Sequence, residues 1–227
     1  MSYKLGIGDA SDNDTSPATD WALAKTRLCD WGLVRGTTTG KLLAGTPQLR
    51  VDGQLVGNAE SMQLAGVERA TYAWFDPRVK KVSAVDQAHF YLEATRKIGV
   101  GEKGTVIDLE DVPAQGIYAN RAIGEHIWAF AAEIRKHTLE LPRLYTNLAY
   151  VSSYLFTYYM QQPWLSDFEL VVASWGGSAP TVPLPWAPCR WRAWQFRRDA
   201  PGAWYGFYPV RPGAAAPRIC LAIWQED

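Results

Sequence analysis

The chain has 227 residues, 23 of them basic and 23 acidic, so it is long enough for one domain with a sizeable core and carries no broad positive field. That balance argues against nucleic acid, whose binding rests on neutralising phosphates, and against charged membrane surfaces. No apolar run reaches the roughly 18 to 20 residues of a bilayer span, and Met1-Ser2-Tyr3-Lys4 lacks the charged and apolar regions of a secretory leader, so a soluble chain without membrane insertion is expected.

Short apolar strands alternate with longer amphipathic segments through the first two-thirds, the pattern of βα units around a parallel sheet. The first strand is predicted at Lys4–Asp9, followed by a helix at Thr19–Asp30 capped by Thr19. Strands follow at Leu33–Thr37 and Ala70–Phe75, then a helix at Ser83–Ile98 behind a Ser cap. A strand at Thr105–Glu110 precedes the longest helix, Ala119–Leu139. After it come a strand at Arg143–Thr146, a helix at Leu148–Met160, and strands at Leu170–Ser174 and Arg192–Phe196. Gly176–Pro188 and Pro201–Pro217 are rich in Pro, Gly and Ala without helical period, so the final strands are expected to be joined by loops or hairpins. No repeat, low-complexity tract or appended binding module is visible, and residues 1–227 read as a single domain.

Cys29, Cys189 and Cys220 are too few and scattered for a disulfide framework and are expected to be reduced. His89, His126 and His137 show neither HxH nor HExxH spacing, so no histidine-built zinc site and no cofactor are expected. Chemistry must then lean on carboxylates. The strongest local signal is Val106-Ile107-Asp108-Leu109-Glu110-Asp111, an apolar strand that ends in acids. Side chains at i and i+2 share a face, roughly 6.6 to 6.8 Å apart, so Asp108 and Glu110 point together while Leu109 turns to packing. At the C-terminal end of a barrel strand such a pair stands where catalytic residues gather. A like charge and partial burial raise the pKa of one partner, and a protonated carboxyl is what a glycosidic leaving oxygen requires, which makes Glu110 the candidate acid. The alternative is an acidic turn or helix start, with Asp111 as a cap. Gly6-Ile7-Gly8-Asp9 is a second apolar run closing on an acid. Asp9 either meets the other two across a shared barrel mouth or belongs to the turn-forming Ser11-Asp12-Asn13-Asp14.

The chain resembles the glycoside hydrolase family 25 lysozymes, the Chalaropsis-type muramidases. The likeness rests on Asp9-Ala10-Ser11 with Asp20-Trp21, Leu33-Val34-Arg35-Gly36-Thr37, Ala65-Gly66-Val67 leading to Thr71-Tyr72-Ala73-Trp74-Phe75, and Asp108-Leu109-Glu110. It continues in Leu144-Tyr145-Thr146-Asn147, Val172-Ala173-Ser174-Trp175 and Ala193-Trp194-Gln195-Phe196. The resemblance implies an α/β fold, a modified TIM-like barrel of five βα units completed by three β-strands. It also implies retaining hydrolysis of the β-1,4 bond between N-acetylmuramic acid and N-acetylglucosamine in peptidoglycan. Carried over, Glu110 matches the acid/base, and Asp108 and Asp9 match acids lining the cleavage subsite; Tyr72, Trp74, Tyr145, Trp175 and Trp194 are the candidate sugar-facing aromatics, with Arg35, Asn147 and Gln195 beside them. The attacking group is either a carboxylate or the substrate's own 2-acetamido oxygen. The sequence departs from the family in Ala73, where a His is common, and in Arg218-Ile219-Cys220-Leu221-Ala222-Ile223, which lacks the usual last-strand acid; Asp199 is a candidate substitute.

A monomer acting at the bacterial cell wall is expected, released in the phage manner or as a trimmed secreted form. Two alternatives remain at this stage: a non-catalytic glycan-binding barrel, for instance in a phage particle, and a barrel hydrolase whose acids hold a divalent metal. Gly36-Thr37-Thr38-Thr39-Gly40-Lys41-Leu42 superficially resembles a phosphate-cradling loop, but its glycines are too close and Leu42 replaces the hydroxyl. Arg35 is either a partner for the mouth acids or a surface charge. Arg190, Arg192, Arg197 and Arg198 surround Trp191 and Trp194 as a solvated rim or a contact to anionic wall polymers, and His126 is expected to be a satisfied boundary histidine.

Overall fold

The computed structural model describes residues 2–11, 19–43, 46–77, 82–110, 120–155, 163–186, 190–207 and 218–226. Nine strands form one sheet: β1 (Tyr3–Ala10), β2 (Cys29–Leu43), β3 (Thr46–Val51), β4 (Glu68–Trp74), β5 (Thr105–Asp108), β6 (Arg143–Thr146), β7 (Leu170–Ala173), β8 (Ala193–Pro201) and β9 (Arg218–Gln225). Pairing of β1 with both β2 and β9 closes eight of them into a barrel, and β3 extends β2 as an antiparallel partner outside the ring. Strands β1, β2, β4, β5, β6, β7 and β8 run parallel around the barrel, while β9 is antiparallel to β8 and β1. Helices α1 (Trp21–Thr26), α2 (Leu55–Ala65), α3 (Ala84–Thr95), α4 (Asn120–Thr138) and α5 (Leu148–Tyr150, continued by a π-helical turn over Val151–Leu155) complete five βα units. The last three strands have no such helix among the described residues, so the modified barrel expected from the sequence is the fold observed.

Several local expectations change. The cap of α1 is Asp20, whose carboxylate accepts from the Leu23 N–H, whereas Thr19 is buried and donates its backbone N–H to Asn58. Strand β5 ends at Asp108, with Leu109 and Glu110 beyond it; even so, Leu109 N–H still reaches the Tyr145 carbonyl and Thr146 Oγ1 bonds the Leu109 carbonyl. Helix α3 carries the expected Ser83 cap as a full capping box with Asp86. Strand β3 and helix α2 are additions. The Gly36–Leu42 run lies on β2 rather than in a strand-to-helix loop. Cys189, Asp111 and 12–14, together with the C-terminal end expected for the Leu148–Met160 helix, fall outside the described residues.

Alternation on the parallel strands separates two packing zones. Trp31, Leu33, Ala70, Tyr72, Val106, Tyr145, Val171, Ala193, Ala222 and Trp224 fill the barrel. Ile107, Leu109, Leu144 and Val172 point the other way, against α3 and α4 residues such as Tyr91, Ile127, Phe130 and Ile134. At one end the barrel floor is closed by Trp31 and Trp224, whose rings meet edge to face at 5.2 Å, with the cations of Lys103 and Arg143 each 5.0 Å from the Trp224 ring. Gly6 admits this arrangement, because a methyl group there would overlap the Trp31 indole.

Candidate active site

At the opposite end, where the parallel strands terminate, a cavity of about 210 Å³ opens. Its lining includes Asp9, Tyr72, Asp108, Glu110, Tyr145, Trp175 and Gln195, together with Gly8, Leu33, Arg198 and Cys220. Asp108 is buried and Glu110 exposed, so the pair runs from the cavity wall to its rim, while Leu109 between them packs against the helices. Asp9 arrives differently. Ile7 and Ala10 both pack in the outer cluster, three residues apart, and the β1–β2 register slips between them. This irregularity adds a residue to β1, and it sets Asp9 on the cavity beside Gly8 where strict alternation would turn it outward with Ile7.

Hydrogen bonds fix the inner wall. Tyr72 donates its hydroxyl to Asp9 Oδ1 at 2.6 Å, and Tyr145 donates to Gln195 Oε1 at 2.7 Å. Gln195 Nε2 in turn points to the Gly8 carbonyl at 3.4 Å, so β6, β8 and β1 are linked across the mouth. A Cβ at Gly8 would come within 2.9 Å of Gln195 Nε2, so the glycine makes room for the amide. Burial, followed by the charge of Asp9, pushes the Tyr72 phenol well above its ordinary pKa and keeps it a donor. Tyr145 is raised first by burial and then by the fields of Glu110, Asp108, Cys220 and Asp9. One phenol therefore senses all three candidate carboxylates.

Arg35 is buried rather than on the surface, and its Nε donates to Asp52 Oδ2 at 2.8 Å. Burial works against its charge, but Tyr72, Asp52 and Asp9 more than offset this and raise its pKa. The β2–β3 hairpin supplies the partner: as the chain returns, Asp52 N–H bonds the Gly36 carbonyl, and the Asp52 side chain also accepts from Gln54 N–H. Arg35 thus stands behind the mouth acids and does not line the cavity.

Three other expected site residues also lie off the cavity. Asn147 caps α5, accepting from Tyr150 N–H at 2.9 Å, and Trp194 packs on the helix side with its indole N–H on the Ser174 carbonyl. Trp74 sits at the end of β4 in register with Asp108 and packs against the barrel interior. Asp199 does not replace the last-strand acid: it is exposed and paired with Arg197 at 3.0 Å, and the last-strand position on the cavity is Cys220. Sequence reasoning missed Asp52 as a neighbour of the site, while it had Cys220 only within a last strand lacking the usual acid and Arg198 only within a rim around Trp191 and Trp194. Arg198 lies 5.1 Å from the centre of the Trp175 ring, which is 41% exposed at the rim. His126 is satisfied as expected, its Nδ1 2.5 Å from the Pro77 carbonyl.

The model of the glycosyl hydrolases family 25 matches residues 44–202, well over half of the chain. The chain belongs to glycosyl hydrolases family 25. The matched stretch holds Asp108, Glu110, Tyr72, Tyr145, Trp175 and Gln195, whereas Asp9 and Cys220 lie outside it. Among curated proteins none matches. Solved structures extend the likeness in fold to the whole chain. The bacterial lysozyme from Streptomyces coelicolor is 18% identical with a TM-score of 0.75, covering 100% of this chain and 94% of its own. The muramidase from Acremonium alcalophilum is 16% identical with a TM-score of 0.72, over 98% of this chain and 94% of its own. The catalytic domain of endolysin ply40 from bacteriophage P40 of Listeria monocytogenes is 14% identical with a TM-score of 0.65, over 100% of this chain and 95% of its own. Membership of family 25 makes this protein a glycoside hydrolase built on that barrel.

Proposed function

We propose that the protein is a peptidoglycan hydrolase that cleaves the β-1,4 bond between N-acetylmuramic acid and N-acetylglucosamine with net retention. The observation that carries this reading is the meeting of Asp9, Asp108 and Glu110 in one cavity at the mouth of a family 25 barrel. The names lysozyme, muramidase and endolysin borne by proteins of the same fold supply the substrate class.

Glu110, at the rim, is the acid/base. In its protonated form it gives its proton to the glycosidic oxygen as the bond from C1 breaks, and as a carboxylate it later takes a proton from the water that attacks C1. Asp108 and Asp9 place negative charge beside the anomeric carbon as it turns cationic, in a site already arranged before substrate arrives. The first attack on C1 comes from a carboxylate or from the 2-acetamido oxygen, and in the second case Asp108 orients the acetamido group. Tyr72 holds Asp9, Tyr145 and Gln195 brace the wall, and Trp175 offers a flat face to a sugar ring. No cofactor is used in this reading.

The working unit in this reading is residues 1–227 as one catalytic barrel, a monomer acting at the bacterial cell wall on glycan strands rather than on nucleic acid or inside a membrane. No described helix is long and apolar enough to cross a membrane. Digestion of purified peptidoglycan followed by mass spectrometry of the fragments tests the bond and the sugar together. Glu110→Gln is expected to lower lysis by about 10² to 10⁴-fold with an unchanged fold. An unchanged rate removes Glu110 from the mechanism, and wall binding without new reducing ends in the parent protein leaves a binding barrel instead.

A further inference from the structure

Outside the mouth, on the helical layer, two histidines and a glutamate far apart in sequence come together. His89 lies on α3, Glu133 and His137 one turn apart on α4, and their ligand atoms all lie within 4.8 Å of one another. Both imidazoles present Nε2 to the same oxygen, Glu133 Oε1, at 2.9 Å from His89 and 3.4 Å from His137. The other oxygen, Oε2, is held by Lys136 at 2.5 Å, which fixes the carboxylate with Oε1 turned to the histidines.

We propose that His89, Glu133 and His137 form a binding site for Zn2+ or a similar transition-metal ion that clips α3 to α4. A tetrahedral zinc with bonds of about 2.0 to 2.1 Å holds its ligand atoms roughly 3.3 to 3.4 Å apart, and the two nitrogen–oxygen distances bracket that spacing. Two imidazoles and one carboxylate are a donor set for zinc rather than for magnesium or calcium, which take oxygen ligands. Both histidine side chains are half-exposed, so their rings can turn to close the remaining gap, while Glu133 is nearly buried and stays fixed. A cavity of about 590 Å³ opens beside His89 and His137, with Leu92, Thr95 and Val100 in its wall, which leaves room for a water as fourth ligand. Lys136 acts as a second-sphere group on Oε2 and, being largely exposed, can swing away from the incoming charge. The HxH and HExxH spacings searched for in the sequence do not detect this site, because it is assembled by the packing of two helices.

Titration calorimetry with ZnCl2 on chelator-treated protein at pH 7.5 tests it. About one Zn2+ per chain is expected to bind, with a rise in melting temperature, since an ion that binds only the folded state stabilises it. His89→Ala and His137→Ala, both at half-exposed positions, are expected to weaken binding at least about tenfold. Lys136→Ala is expected to retain or tighten it. Glu110→Gln and Cys220→Ala serve as controls for zinc held at the barrel mouth, and circular dichroism checks that each variant is folded. Lack of saturable binding up to about 100 µM Zn2+ overturns the proposal. So does binding that survives the double histidine variant or that is lost in either control.

Discussion

Replacing Asp52 by Asn tests whether the mouth of the barrel depends on the buried ion pair behind it. The Arg35 and Asp52 side chains are 7% and 0% exposed and meet at 2.8 Å, so water screens them little. Removing one partner of such a pair costs about 3 to 5 kcal/mol, because the other charge is left in a poor solvent. Two features of the site favour the lower end: Asp9 still acts on the guanidinium, and Asn keeps an acceptor for the Gln54 N–H. A loss of about 3 kcal/mol corresponds to a fall in melting temperature of roughly 6 to 12 °C for a chain of this size. Asp199→Asn is the matched control, since Arg197 and Asp199 meet at a similar 3.0 Å but are 51% and 70% exposed; its cost is expected within about 0.5 kcal/mol. Combining Asp52→Asn with Arg35→Met is expected to recover part of the loss by removing the buried cation as well. Scanning calorimetry on the four proteins decides the matter. A fall of less than about 2 °C for Asp52→Asn, or equal falls for the two aspartates, refutes the view that burial sets the value of this pair.

The ion pairs around Glu68 on the floor side predict a pH effect. Burial opposes the charge of Glu68, but Lys4 and Lys103, at 3.0 and 3.1 Å, outweigh it and hold the folded pKa below the ordinary 4.5. Their stabilisation is therefore complete above pH 4.5 and fades as the pH falls through the lower folded value. Glu68→Gln should melt slightly below the parent at pH 7, by up to about 1 kcal/mol in these partly exposed pairs, with the gap closing in acid; a gap that widens in acid reverses the sign of the argument. Thiol reactivity should separate two cysteines. Cys29 is buried, and burial followed by Asp30 pushes its thiol up to about 12, whereas Cys220 lines the cavity at the barrel mouth. Iodoacetamide at pH 8 should label Cys220 first, as read by peptide mass, and lower activity in the parent but not in Cys220→Ala. Labelling of Cys29 at an equal rate contradicts this placement.

The parts of this fold legible in the sequence are those where one periodicity dominates. Thr105 to Glu110 is an apolar run that closes on acids, and the two-residue repeat of a strand is enough to put Asp108 and Glu110 on one face. Asp9 was visible as an acid ending a strand, but the register slip that turns it inward is a property of the β1–β2 pairing and leaves no mark in one sequence. Helix α2 escaped because its apolar residues do not keep to one face: Leu55 and Met62 are buried, while Val56 is half-exposed and Leu64 is 90% exposed. Strand β3, Thr46-Pro47-Gln48-Leu49-Arg50-Val51, was hidden because a proline and polar side chains interrupt its apolar pattern, as suits an edge strand, and with it went Asp52, whose role depends on the hairpin bringing it back to Gly36. Cys220 shares its face of β9 with Ala222 and Trp224, so the inward position was readable once that strand was in register. Asn147 and Trp194 were identified by residue type within a resemblance, and local demands, a helix cap and a helix-side core, account for where they went.

The indole pair that seals the far end of the barrel makes the candidate active site a blind pit. A glycan cannot thread through the ring of strands, so substrate must be laid over the open rim from the side, and both halves of a cut strand must leave by the way they came. Length of the polymer is then no obstacle, since the ends of the chain never have to be found.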